Sequence, residues 1–448
     1  MLARHAVRAA RPLRRSLAAP RSTVVTERAR PPTVVRRSLY DYRTPAAQAA
    51  AAIDKPVGYW LLGCGGLVAG MVSVGGLTRL TRSGLSMTDW KIQGGLPPRT
   101  PDEWQREFER YKRFPEWQQR QSMTVEDFKF IYFWEYGHRM LGRVVGVAFG
   151  APLAYFWSRG RLTPWLKPRL LGLLGLGGTQ GLVGWWMVRS GLDTQLLPEK
   201  QRQDVRVSPY RLATHLSLAF ASYTGLVWCG LEVLSGGRAA RSLVARAHAA
   251  RLAPVAAAAA GLTFVTALSG AFVAGNDAGC AYNVWPYMID DRDVGEGASF
   301  APPLAELTAL TPAWRNLFEN TATVQFDHRS LAYATSAAVG ALAASAAAGP
   351  FAALPLAPRA FVVAGSAAVV GQVSLGVATL LAYVPIELAA AHQAGSLVLL
   401  TTMLGASHAL STAAGGAGAT ALKAAAKAGP AAGVAVGVVA AGAGLAQA

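Results

Sequence analysis

Long apolar stretches separated by shorter polar ones set the pattern of this chain. Eight of them lie at about 56–78, 130–157, 168–188, 210–236, 253–274, 323–347, 359–382 and 386–409. Each approaches or exceeds the roughly 20 residues that a helix needs to cross about 30 Å of hydrocarbon. The pattern predicts an all-α polytopic membrane protein with eight transmembrane helices. The connections alternate in charge. Between the second and third spans, SRGRLTPWLKPR carries Arg159, Arg161, Lys167 and Arg169 and no acid. Between the fourth and fifth lie Arg238, Arg241, Arg246 and Arg251, again with no acid. The loops after the first, third and fifth spans mix both signs, with Asp102, Glu103, Glu107 and Glu109 in one and Asp290, Asp291 and Asp293 in another. The arginine excess places both termini on the side of the short basic connections.

The apolar pattern also repeats. Gly75, Gly84 and Trp90 follow one another at spacings of nine and six, and so do Gly270, Gly279 and Trp285. The second span holds HRML from His138 and the sixth holds HRSL from His328. Gln180 with Gly184 in the third is matched by Gln372 with Gly376 in the seventh. His215 follows Pro209 in the fourth, and His392 follows Pro385 in the eighth. Two four-helix bundles, residues 53–236 and 253–409, are therefore expected to be related by a pseudo-twofold axis along the membrane normal.

Charge adds a targeting segment. The chain is 52% hydrophobic and 15% charged, yet its net charge is +18. About half of that excess lies in the first 43 residues, which hold eleven arginines against Glu27 and Asp41. An arginine-rich, serine-containing, acid-poor leader has the composition of a mitochondrial transit peptide, here about residues 1–45, and a disordered basic tail is the competing reading. With the charge gathered there rather than on a domain face, nucleic acid is not an expected partner, and membrane lipid is. The basic side then becomes the matrix, and the membrane the mitochondrial inner one. Residues 410–448, rich in Ala and Gly, read as a loose matrix tail. Three cysteines, with Cys64 and Cys229 in apolar runs and Cys280 in a loop, make no disulfide framework.

Four histidines carry the chemistry. His138, His215, His328 and His392 lie near the starts of alternate spans, at one depth by the repeat. A lone intramembrane histidine is usually a hydrogen-bonded packing residue. Four at matched depth point instead to pairs of neutral imidazoles holding haem iron axially in two bundle cores. Zinc is disfavoured, since no cysteine or carboxylate set accompanies them. Arg139 and Arg329 follow two of the histidines and are placed to pair with haem propionates, or else to snorkel to the interface. Glycines near Gln180 and Gln372 would let a flat macrocycle approach the backbone, or else serve helix packing. His248 reads as a charged-loop residue and His408 as an interfacial one. The halves differ at one telling position: Glu135 stands three residues before His138, where Gln325 stands before His328. A carboxylate in one pocket and an amide in the other suggest acid–base or oxidative chemistry in the first and a redox haem in the second; a plain hydrogen bond to a neighbouring helix is the alternative for Glu135.

The segments GGLTRLTRSGLSMTDWKIQGGLPP, DFKFIYFWEYGHRMLGR, VRSGL, VSPYRLATHLSLA, GNDAGCAYNVWPYM and HQAGSLVLL together resemble the haem A synthase family of mitochondrial type, over about residues 53–410. The resemblance implies oxidation of the ring methyl of haem O to a formyl group, through a hydroxymethyl stage, to supply haem A for cytochrome c oxidase. It implies that His328 and His392, with Arg329, bind a resident haem b. His138 and His215, with Arg139, bind the substrate, and Glu135 is the acid–base or substrate-orienting residue. It implies a ferredoxin-type electron donor, with haem O synthase and oxidase assembly factors as neighbours. One departure is plain: residues 79–129 contain no cysteine, so a thiol step in that loop is not inferred. Two other classes fit part of the pattern: a dihaem b-type cytochrome acting as an electron relay, and a haem transporter built from parallel repeats. The long loop after the first span, with PDEWQREFERYKRFPEWQQR, is expected to lie as a lid over the His138–His215 pocket.

Overall fold

The computed structural model describes residues 54–91, 93–192, 205–236, 239–290 and 297–415. The proposed leader, the tail beyond Gly415, and Arg238, Asp291 and Asp293 lie outside these. Among the described residues there are eight helices of 26 residues or more: α1 Lys55–Leu80, α2 Val125–Ser158, α3 Leu166–Leu192, α4 Pro209–Ser235, α5 Leu243–Gly275, α6 Thr321–Ala347, α7 Leu356–Leu381 and α8 Ile386–Ala413. No strand occurs among them beyond one isolated bridge, Ile289 to Ser299. Seven of the eight are long and apolar enough to span a membrane. The other, α3, has the length, but seven glycines together with Lys167, Arg169, Gln180 and Arg189 dilute it.

Two helices extend beyond the apolar runs that announce them. α2 begins at Val125 because Thr124 and Asp127 form a reciprocal cap, Thr124 N donating to Asp127 Oδ2 at 2.9 Å and Asp127 N to Thr124 Oγ1 at 3.2 Å. α5 begins at Leu243, capped by Ser242, and takes in the basic segment read as a loop. That corrects His248. It is buried within α5, its Nε2 lies 3.2 Å from Ala346 O, and its ring sits on Gly349. His408 is also buried, with its ring 5.2 Å from that of Trp228 and its Nε2 3.8 Å from Glu232.

Packing repeats as the sequence does. In the first half α1 contacts α2 and α4, and α3 contacts α2 and α4. In the second, α5 contacts α6 and α8, and α7 contacts α6 and α8. The halves meet through α4–α5, α8–α1 and α4–α8, a set that exchange of the halves leaves unchanged. Small residues make this close approach feasible: Ala245, Ala249, Ala253, Ala256 and Ala260 recur at helical spacing along the buried side of α5. Ion pairs tie the ends. Asp277, just after α5, accepts from Arg79 at the end of α1 (2.9 Å) and from Arg206 ahead of α4 (2.7 Å). Asp54, ahead of α1, accepts from Arg161 in the α2–α3 connection at 2.6 Å.

Candidate functional site

The four histidines meet in two pairs. The rings of His138 on α2 and His215 on α4 stand 6.5 Å apart, centre to centre. Those of His328 on α6 and His392 on α8 stand 6.4 Å apart. Even-numbered helices supply the imidazoles and odd-numbered ones supply a glycine behind each. A Cβ on Gly75, Gly184, Gly270 or Gly376 would stand 2.8, 3.0, 3.2 or 2.8 Å from Cε1 of His138, His215, His328 or His392 respectively. The repeated glycines therefore seat the rings; the expected approach of a macrocycle to Gly184 and Gly376 is taken by imidazole instead. Gln180 Nε2 donates to His215 O at 3.0 Å, and Gln372 Nε2 to His392 O at 3.0 Å.

These pairs fit axial ligation of a haem. Two metal–nitrogen bonds of about 2.0–2.1 Å, plus about 1.1 Å from each nitrogen to its ring centre, separate the centres by about 6.3 Å. Among the described residues no group of three or more His, Cys, Asp or Glu could hold an ion. Each pair can thus supply two nitrogen donors to a group that brings its own remaining ligands. The pairs are not equal. His328 Nδ1 lies 2.7 Å from Ser269 Oγ, whereas Nδ1 of His138, His215 and His392 is buried without a protein partner. In the first half Val74 stands where Ser269 does.

Glu135 and Gln325 each fasten the loop that follows the first helix of their half, with opposite polarity. Glu135 Oε2 accepts from Ser86 Oγ and from Met87 N, both at 2.7 Å, and Oε1 accepts from Arg139 at 2.6 Å. Gln325 Nε2 donates to Ala278 O at 2.7 Å and to Ala281 O, while its Oε1 is buried without a partner. The arginines beside the histidines also hold these loops. Arg139 donates to Met87 O and Asp89 O, both at 2.9 Å, and Arg329 donates to Tyr282 O, Val284 O and Tyr287 O at 2.6, 3.0 and 3.0 Å. Arg329 keeps one buried donor, Nε, unpartnered.

The loop after α1 carries a helix at Pro101–Tyr111 and a short turn at Pro115–Gln119. Trp104, Phe108, Tyr111 and Trp117 form an apolar cluster with Phe128, Ile131 and Tyr132 of α2. Farther down α2, Tyr136 OH donates to Gly95 O at 3.1 Å and Arg143 to Lys91 O at 2.6 Å, and Trp90 meets Trp185 of α3. The loop thus lies along α2 past the level of His138. Glu116 is buried in it at 6% exposure. Tyr111 OH donates to it at 3.2 Å, and Arg120 pairs with it at 3.7 Å while also donating to Arg82 O. Burial lifts its carboxyl from 4.5 to about 7; Arg120 and Tyr111 oppose the rise, and the charge of Glu135 adds to it. A carboxyl raised on folding favours the docked loop at low pH and loses that contribution as pH climbs through the folded value. Loop docking should weaken from about pH 4.5 to 7, read as Trp104 and Trp117 fluorescence and protease sensitivity, and Glu116→Gln should flatten the response. A wild-type loop indifferent to pH over that window would contradict this.

Sequence reasoning did not find Ser269, Glu116 or Asp277. Only Ser269 left a trace, as the residue preceding a repeated glycine.

Residues 58–404 match the family described as "Cytochrome oxidase assembly protein". The chain is 47% identical over 362 residues to "Heme A synthase COX15" of Arabidopsis thaliana, covering 80% of this chain and 75% of that one. It belongs to the haem A synthase family. The protein of the same description from Bos taurus is 45% identical over 83% of this chain and 86% of its own. A "Heme A synthase-mitochondrial ferredoxin fusion protein" of Schizosaccharomyces pombe is 43% identical over 78% of this chain and 59% of the fusion. The family is an enzyme family, and its matched region contains both histidine pairs and both glycine sets. Residues before 58 and after 404 fall outside that region.

Proposed function

We propose that this chain is a haem A synthase of the mitochondrial inner membrane, oxidising the ring methyl of haem O to a formyl group and so supplying haem A for cytochrome c oxidase. His328 and His392 hold haem b, and Arg329 offers its free Nε–H to a propionate. His138 and His215 take the substrate haem, with Arg139 at its rim and Glu135 as the acid–base or orienting residue. Haem b, when bound, supplies one-electron chemistry.

The observation that carries the assignment of the two pairs is the Ser269–His328 hydrogen bond. A second hydrogen bond on a ligating imidazole fixes its tautomer and orientation and typically raises metal affinity 10–100-fold. A resident cofactor benefits from that; a substrate that must leave as product does not. The pair backed by Val74 lacks it. The docked loop after α1 supports its reading as the lid of the substrate pocket.

The four-helix halves 53–236 and 253–409 carry the two sites, residues 1–45 direct import, and both termini lie in the matrix. The electron donor is a ferredoxin-type protein. A relative is joined to a ferredoxin in one chain, and Arg159, Lys167, Arg169 and Arg251 on the basic side suit an acidic partner.

The test is the haem content of protein purified from membranes that make haem O. Haem b together with haem O or haem A is expected. Haem b alone points to an electron relay, and absence of a Soret band to a protein that binds no haem; either result overturns the proposal.

A further inference from the structure

The junctions α8–α1 and α4–α5 exchange when the halves exchange, yet their side chains differ. At the first, Gln393, the residue after His392, donates Nε2 to Val72 O of α1 at 2.8 Å. Its side chain fills the space over Gly76, where a Cβ would collide with Oε1. At the second, Leu216 follows His215, and Ala271 stands where Gly76 does. One junction has a hydrogen bond and a missing methyl where the other has an apolar side chain and a methyl.

Position gives this contact its meaning. Val72 O is the acceptor that the α-helix offers to the N–H of Gly76, so Gln393 grips α1 at that turn. The adjoining residue, Gly75, is the seat of His138. At the other end, the backbone of His392 is held by Gln372. A continuous set of contacts therefore runs from one axial histidine to another in the opposite half: His392, Gln393, the Val72–Gly76 turn, Gly75, His138. We infer that Gln393 is a positioning residue that couples the two histidine pairs by setting α1 against α8. The inference rests on the reading that the first pair takes the substrate haem and the second haem b. Coupling between sites is reciprocal: if the substrate site senses haem b through this contact, haem b senses the substrate site equally.

The test uses the full-length protein with haem b bound, in detergent or nanodiscs. The α-band position and midpoint potential of haem b are measured before and after addition of haem O. In the wild type both should shift on haem O binding. In Gln393→Leu, which copies Leu216, haem b should remain and the shift should vanish. Gly76→Ala, which forces Gln393 aside without touching a histidine, should also abolish it, and adding Gln393→Ala to Gly76→Ala should change the shift no further. This pair serves if Gln393→Leu loses haem b. Haem O that binds with no shift in the wild type, or a shift that survives in the variants, overturns the coupling. A wild type that takes up no haem O overturns the functional reading itself, and the coupling with it.

Discussion

Replacing His328 with alanine should strip the protein of its low-spin haem b spectrum while leaving the fold and the His138–His215 pair in place. The cavity left on α6 is small, and the helix is otherwise held by contacts that do not involve the ring: Asn320 at its cap, Gln325 to Ala278, and Thr335 to Thr266. Haem binding, in contrast, loses one of only two protein nitrogens. His392→Ala removes the other and should match it. Ser269→Ala grades the effect, because it keeps both ligands and frees the orientation of one; haem b affinity should fall about 10–100-fold with the low-spin spectrum retained at saturation. Optical titration of the apoprotein measures all three. An unchanged low-spin spectrum in both histidine variants would sink the assignment of this pair to the resident haem.

Glu135→Gln should lower conversion of haem O by about 10²-fold or more, the usual scale for losing a positioned acid–base group. Haem b should be unaffected, since Glu135 stands in the other half. The carboxylate accepts three hydrogen bonds, from Ser86, Met87 and Arg139. A glutamine has one acceptor oxygen, and its NH₂ would face donors. The variant therefore disturbs the loop as well as the chemistry, and Ser86→Ala separates the two. It removes one donor to Glu135 and keeps the carboxylate. Should Ser86→Ala slow turnover as much as Glu135→Gln, Glu135 acts by fastening the loop; should it have little effect, the carboxylate acts on the substrate. Normal turnover in Glu135→Gln would dismiss both roles.

What the sequence revealed, and what it hid, follows from what each kind of signal measures. Eight apolar runs announced eight long helices, seven of them long and apolar enough to cross a membrane. The overhangs of α2 and α5 were invisible to that signal, since Thr124 and Ser242 extend a helix through capping, outside the apolar stretch. His248 was misplaced for the same reason. The histidine pairs were legible because the repeat supplied each with a counterpart. The glycines were legible as a pattern but not in their role: a missing side chain does not say whether a macrocycle or an imidazole occupies the space. Gln393 gave no warning, and Ser269 only its place before a repeated glycine, because each matters through a partner on another helix that residue type alone does not name.

The contact of α4 with α8 is a contact between equivalent helices. In a dimer of a single four-helix chain, the same surface would pair with its own copy, as twofold interfaces do. Every substitution in such a dimer appears twice, so its two sites must stay alike. Joining the copies into one gene lifts that constraint. Val74 and Ser269, Leu216 and Gln393, and Glu135 and Gln325 are three divergences between matching positions that two identical copies could not hold.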